Sequence, residues 1–349
     1  MSDDRLTTAE NGDDARLLDA AVRERLAVAA ADLRLKPSLR LTEWQRATVS
    51  ALAAKVVRTV EDDLRISLAD APHARANEAL HAALTSAHVA IAAPILERSG
   101  AHAEPPLVAA LIRRTEEHRL ARSRGNSEAG LLLELIRDED EQVSEQAMAI
   151  LIAHSRRFDG FGEPVAARTE LPAELEHRLA WRVAAALRAY MIDRHGVPAA
   201  DADAMLVSAA ERLLADYDEG DGLEARCMRL ARRLDQLGRV DDDLTERSLT
   251  EGSLPLFLAF ISVRASLGRD AAWEIVSDPR GRGAPLLLKA SDLGREQAGS
   301  ILLGLASSED LVASQLDLFD VTSAAEARAA LRLWQVDPFY REALAEIAA

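Results

Sequence analysis

The sequence predicts an all-α protein, on three observations. Apolar residues make up 48% of the chain while aromatic residues make up only 4%, and much of the apolar share is alanine, which favours close helix packing over a sheet. Apolar positions recur at spacings of three and four, as in Val49, Leu52, Val56 and Val60, and again in Leu175, Leu179, Val183, Leu187 and Met191. No stretch alternates apolar and polar residues for long, and no Asn-Gly or Asp-Gly turn joins β-rich flanks.

Taken in order, residues 1–12 are polar and acidic and read as a disordered tail. A first helix is expected from Asp13 to Leu35, stopping before Pro37. Thr42 and Gln45 have the spacing of a capping box opening the next helix. Segments starting at Leu64, Val89, Leu120 and Val143 are expected to begin successive helices, and they recur roughly 23 to 31 residues apart, shorter than a HEAT repeat of about 40. Units so short cannot bury their own faces, so residues 13–158 are predicted to form a HEAT-like, α-solenoid-like repeat region. Gly160, Gly162 and Pro164 mark residues 159–170 as a hinge.

The remainder, 171–349, reads as a C-terminal helical bundle or a continued stack. Gly196 and Pro198 end its first helix, and further helices are expected at 201–217, 223–237, 254–267 and 294–306. Ser307 with Asp310, Ser323 with Glu326, and Asp337 before Pro338 mark the last helix starts.

Charge bounds the partners. The 42 basic and 58 acidic residues leave a formal charge of −16, the wrong sign for general binding to a phosphate backbone, which disfavours non-specific nucleic-acid binding. The longest apolar run, Leu254 to Val263, is about half of the ~20 residues a membrane span needs and reads as a buried helix, so no membrane partner is expected. The acidic N-terminus lacks the layout of a signal peptide, and the single cysteine, Cys227, forms no intrachain disulfide, so a cytoplasmic location is expected.

Several phrases in a fixed order carry a resemblance. They are Ala92 to Ser99 (AAPILERS), Arg113 to Ala121 (RRTEEHRLA), Leu171 to Leu175 (LPAEL), Leu254 to Ala259 (LPLFLA) and Leu286 to Ala290 (LLLKA). Over residues 43–305 the chain resembles a family of alphaproteobacterial HEAT-like helical proteins carried as a domain of unknown function. The stretch Arg119 to Arg124 (RLARSR) departs from the alanine-richer segment of that family. The resemblance implies the helical fold and a cytoplasmic setting, and supplies no catalytic residue.

Chemistry is harder to find. Gly281-Arg282-Gly283 lacks the Lys and Ser or Thr of a phosphate-binding loop and reads as a turn between helices. No two histidines stand four apart, and His81 and His88 lie two helical turns apart, about 10 Å, too far to share a metal. The runs Asp138 to Glu141 and Asp241 to Asp243 read as helix starts, and no G-x-S-x-G presents a serine.

One feature runs against the acidic trend: Arg113, Arg114, His118, Arg119, Arg122 and Arg124 crowd a single predicted helix. Arg114, His118 and Arg122 recur every fourth residue and are expected to form an exposed basic stripe. Solvated, they only balance acidic neighbours. Used, they form an anion site.

The chain therefore reads as a non-enzymatic, cofactor-free protein-interaction or regulatory module whose partner is another protein. The alternative is a sensor of, or an enzyme acting on, a phosphorylated or anionic small ligand held by the basic helix. Because glycines and a proline separate the two halves, limited proteolysis is expected to cut near Arg156, Arg157 or Arg168 before it cuts either half. Equal resistance there and in the neighbouring helices would mean a continuous stack.

Overall fold

The computed structural model describes residues 40–348, apart from 87–88, 125–129, 159–163, 166–169, 216, 279 and 307–308, and apart from the side chains of 102, 123, 124, 309 and 348. The expected tail, the helix from Asp13 to Leu35 and most of the expected hinge lie outside the described residues. The chain divides into two compact units, residues 1–44 and 45–349. Of the first only residues 40–44 are described.

The described residues are helical throughout, with eighteen α-helices and no strand, only one isolated bridge between Phe158 and Pro164. Helix α1 (Glu43–Ala69) begins just after Thr42 and buries Val49, Leu52, Val56 and Val60 as their spacing demands. Then come α2 (Pro72–Ala76), α3 (Glu78–Thr85), α4 (Ala92–Ser99), α5 (Pro105–Arg124), α6 (Gly130–Leu135) and α7 (Glu141–Ser155). The second half holds α8 (Ala173–His195), α9 (Ala199–Ala215), α10 (Leu223–Gln236), α11 (Asp242–Arg247), α12 (Leu254–Ala265) and α13 (Arg269–Val276). It closes with α14 (Gly283–Ala290), α15 (Arg295–Leu305), α16 (Glu309–Val321), α17 (Ala324–Leu331) and α18 (Pro338–Ala348).

Many of the expected helix ends are where the local chemistry puts them. Asp140 and Asp241 accept from Val143 N and Leu244 N, so the two acidic runs cap α7 and α11. Ser323 and Glu326 form a full capping box on α17. Gly196 ends α8 in the left-handed conformation at φ 62°. Gly281-Arg282-Gly283 is a turn, tied by Asp278 accepting from Arg282 N and Gly283 N, and a Cβ at Gly283 would meet Ile275 O at 1.9 Å.

Two of the four expected repeat starts are not helix starts. Leu64 lies inside α1, which runs for 27 residues, and Leu120 lies near the end of α5, which runs for 20. The polar residues ahead of them resemble turns in sequence, but here they are turns of helix with paired charges. Packing also reaches beyond neighbours: α4 lies on α8 and α7 lies on α10.

Three apolar clusters form the interior. The first gathers α1, α3, α4, the start of α5, α8 and α9 around residues such as Leu64, Leu80, Leu111 and Leu187. The second joins Leu120 to the C-terminal helices α12 to α17. The third gathers α6, α7 and α10. Helix α12, the longest apolar run, is buried on every side: Phe257 and Ile261 face the second cluster, Leu256 and Phe260 the third. Each such side chain contributes roughly 1.5–3 kcal/mol of burial. No described helix is long and apolar enough to cross a membrane.

The first cluster holds a buried ion pair with a defined task. Arg65 Nη1 donates to Glu61 Oε1 at 3.0 Å and to Val89 O at 2.7 Å, while its Nε and Nη2 donate to Leu84 O at 2.9 Å, Ala83 O at 2.6 Å and Ser86 O. Glu61 in turn accepts from Ile91 N at 2.9 Å and Ala92 N at 2.8 Å. Ile91 offers α4 no side-chain cap, so a carboxylate from α1 caps it from across the core. Arg65→Ala would strand a buried carboxylate and four carbonyl groups. A loss of about 3–5 kcal/mol is expected by denaturant titration, with a smaller loss for Glu61→Gln.

Candidate functional site

Helix α5 leads to the site. Leu107 and Leu111 lie in the first cluster and Leu120 in the second, and the turns between carry Arg114, Thr115, Glu117 and His118, all buried. Arg114 and His118 continue the stripe of Leu107 and Leu111 at spacings of three and four, so the helix turns them inward. The exposed basic stripe is thus corrected: Arg114 is 8% and His118 2% exposed, and only Arg122 of the three faces solvent.

The buried charges meet partners from three other segments. Arg114 Nη1 bonds Glu117 Oε2 at 2.8 Å, while its Nη2 bonds Glu170 and donates to Val165 O at 3.0 Å. Arg157 binds the same carboxylates, reaching Glu117 Oε2 at 2.7 Å and Glu170 Oε1 at 3.3 Å, and also Glu224 Oε1, at the start of α10, at 2.6 Å. Arg157 is therefore a buried anchor. Of the residues expected to invite proteolysis, Arg156 is exposed, Arg157 is buried and Arg168 lies outside the described residues.

Burial alone would lower the Arg157 pKa, but Glu224, Glu117 and Glu170 outweigh it and raise it. Burial and the neighbouring Arg157 lower that of Arg114. Burial works to raise Glu224, yet Arg157, Arg269 and Arg113 hold it well below the usual carboxylate range.

Beside this node opens a cleft of about 1000 Å³ between α5, α8, α10 and α13, bordered also by Phe339 at the start of α18. Its apolar surface comes from Leu175, Met228, Leu267 and Trp273. On its wall Arg113 Nη1 bonds Asp270 Oδ1 at 2.9 Å, and Arg269 Nη2 bonds the same oxygen at 3.0 Å. Burial would raise the Asp270 pKa, but Arg269 and Arg113 hold it down. Tyr217, at the rim, donates to Leu171 O and is pushed up to about 12 by burial and the nearby Glu219. Burial raises the Cys227 thiol beneath. Of the shifted groups in or under the cleft, Arg157, Glu224, Asp270, Tyr217 and Cys227 move away from neutral pH and Arg114 alone moves toward it.

Of the residues singled out in the sequence, Arg113 and Arg114 line the cleft. Arg119 turns elsewhere, to Glu116 at 2.7 Å and Leu305 O at 3.0 Å, and the Arg124 side chain lies outside the described residues. Sequence reasoning missed Arg157, Glu170, Glu224, Asp270 and Trp273, which local patterns do not connect. Glu117, four residues after Arg113, bonds Arg114 and Arg157 rather than Arg113. Among the described residues no three His, Cys, Asp or Glu side chains gather as a metal site.

The family described as "Uncharacterised protein conserved in bacteria (DUF2336)" matches residues 91–332, from the start of α4 to the end of α17. The match spans more than half of the chain, which therefore belongs to this family, and it contains the whole ion-paired node. No curated protein and no solved structure matches the chain.

The direction of the Glu224 shift sets a pH dependence. A carboxylate held low in the folded state stabilises the fold above its unfolded pKa of about 4.3, and that contribution is lost as pH falls through the depressed value. Glu224→Gln is expected to lose about 1–3 kcal/mol at neutral pH, and the gap from the parent protein should close in acid. A gap that stays constant from pH 7 to pH 2 in denaturant titrations would contradict this role.

Proposed function

We propose that this member of the DUF2336 family is a non-enzymatic interaction or regulatory module, HEAT-like in its first half, which binds a segment of another protein in the cleft beside α5. The observation that carries this is the make-up of the cleft: apolar and aromatic surface set among arginines, of which Arg114 and Arg157 are already bonded to carboxylates. Interface cores favour Trp, Met and Arg, and a cleft of this size admits several side chains of a partner. The net charge of −16 argues against a nucleic-acid partner.

The HEAT-like reading draws on short helices packed in adjacent pairs, α2 with α3 and α6 with α7, which need further helices to cover them. A single buried thiol suits the reducing cytoplasm. The competing reading, an enzyme or sensor for a phosphorylated ligand, asks for free cations along α5, and Arg114 is committed to Glu117 and Glu170.

A photoreactive phenylalanine analogue at Phe339, which is 78% exposed at the cleft, tests the proposal in cells. Illumination should join the chain to one discrete protein. The same analogue at Ile66, 70% exposed on α1, should not. The same adducts from both positions, or none from Phe339, would overturn it.

A further inference from the structure

We infer that the cleft selects acidic segments, and that Arg232, with Arg229 beside it on α10, takes Asp or Glu side chains of the bound protein, an inference that rests on the interaction reading above. Ala225, Met228 and Arg232 recur at spacings of three and four and all line the cleft, so this face of α10 forms one of its walls. Arg232 is exposed and has no hydrogen bond or ion pair among the described residues. Arg229, exposed one turn earlier, bonds only neutral acceptors: Gln146 Oε1 at 3.3 Å and the carbonyl of Gly220, itself a lining residue, at 2.7 Å. The other two arginines of α10 are committed, Arg226 to Asp221 at 3.0 Å and Arg233 to Asp140.

Two exposed cations one turn apart repel each other, and an anion laid across them removes that repulsion. The net charge of −16 opposes an acidic partner only at long range, because screening limits it to about 8 Å at physiological ionic strength. Within the cleft the local groups decide. Glu219 is the one lining carboxylate without an ion pair among the described residues, and the others are bonded to arginines. The unpaired charge along this wall is therefore positive. Met228, Trp273 and Phe339 add apolar surface that a protein segment covers with its own side chains and a free phosphate ion does not.

A hexapeptide of sequence EELFEE, blocked at both ends, serves as the probe, with QQLFQQ and inorganic phosphate as comparisons. In NMR titrations the acidic peptide should shift the Arg232 backbone amide and the Trp273 indole N–H in a saturable way. QQLFQQ should bind about tenfold more weakly, as should EELFEE to the double variant Arg229→Gln, Arg232→Gln, since two exposed charge pairs are lost. The double variant should melt as the parent does, because neither arginine holds an ion pair. Arg137→Gln, an exposed position after α6 that does not line the cleft, should bind as the parent does. Absence of any shift with EELFEE in the parent protein overturns the inference. So does equal binding of QQLFQQ, equal binding by the double variant, or saturation of the same signals by phosphate at lower concentration.

The photocrosslink at Phe339 separates the two claims. Full adduct yield in the Arg229→Gln, Arg232→Gln background leaves the interaction reading standing and removes the acidic selection. Arginine-dependent binding of EELFEE with no adduct in the parent protein does the reverse.

Discussion

Arg114 and Arg157 share two carboxylates, Glu117 and Glu170, and this buried arrangement governs how the rest of the molecule is joined. Hydrophobic burial is non-directional, so three apolar clusters alone could meet in many ways. Guanidinium forks impose distance and angle together. Taking these charges out of water costs several kcal/mol per ion, recovered only in good geometry, and any arrangement that separated the partners would forfeit that recovery. The node thus selects among packings that apolar contact leaves nearly equal.

The participants come from four parts of the chain. Arg114 and Glu117 belong to α5, which runs from the first cluster to the second. Arg157 follows α7 of the third cluster, Glu170 precedes α8 of the first, and Glu224 opens α10 of the third. The cleft lies beside this meeting point because side chains occupied with one another leave space around them that apolar packing does not fill. Helix α12, buried between the second and third clusters, backs the same region without a polar group reaching the cleft.

Much of the fold was legible because it is written locally. The capping box at Ser323, the stop at Gly196, the acidic caps at Asp140 and Asp241 and the buried character of Leu254 to Val263 each depend on residues close in sequence. The repeat register failed at Leu64 and Leu120 because polar residues before them look like turns until their distant partners are known. The basic helix was found, but its face was misjudged. Leu107, Leu111, Arg114 and His118 share one stripe, and that continuation was visible, whereas the carboxylate that Arg114 meets at Glu170, 56 residues away, was not.

The cap on α4 separates two kinds of boundary that are easily confused. The family match begins at residue 91, next to Ala92, where α4 starts. The carboxylate that satisfies this helix terminus is Glu61, which lies upstream of the match on α1, and Arg65, which orients it, lies there too. A fragment cut at the start of the match would retain the cleft and the ion-paired node, yet expose the N-terminus of its first helix and one side of the first apolar cluster. The matched region thus leaves out part of the apolar cluster and the cap that close its first helix.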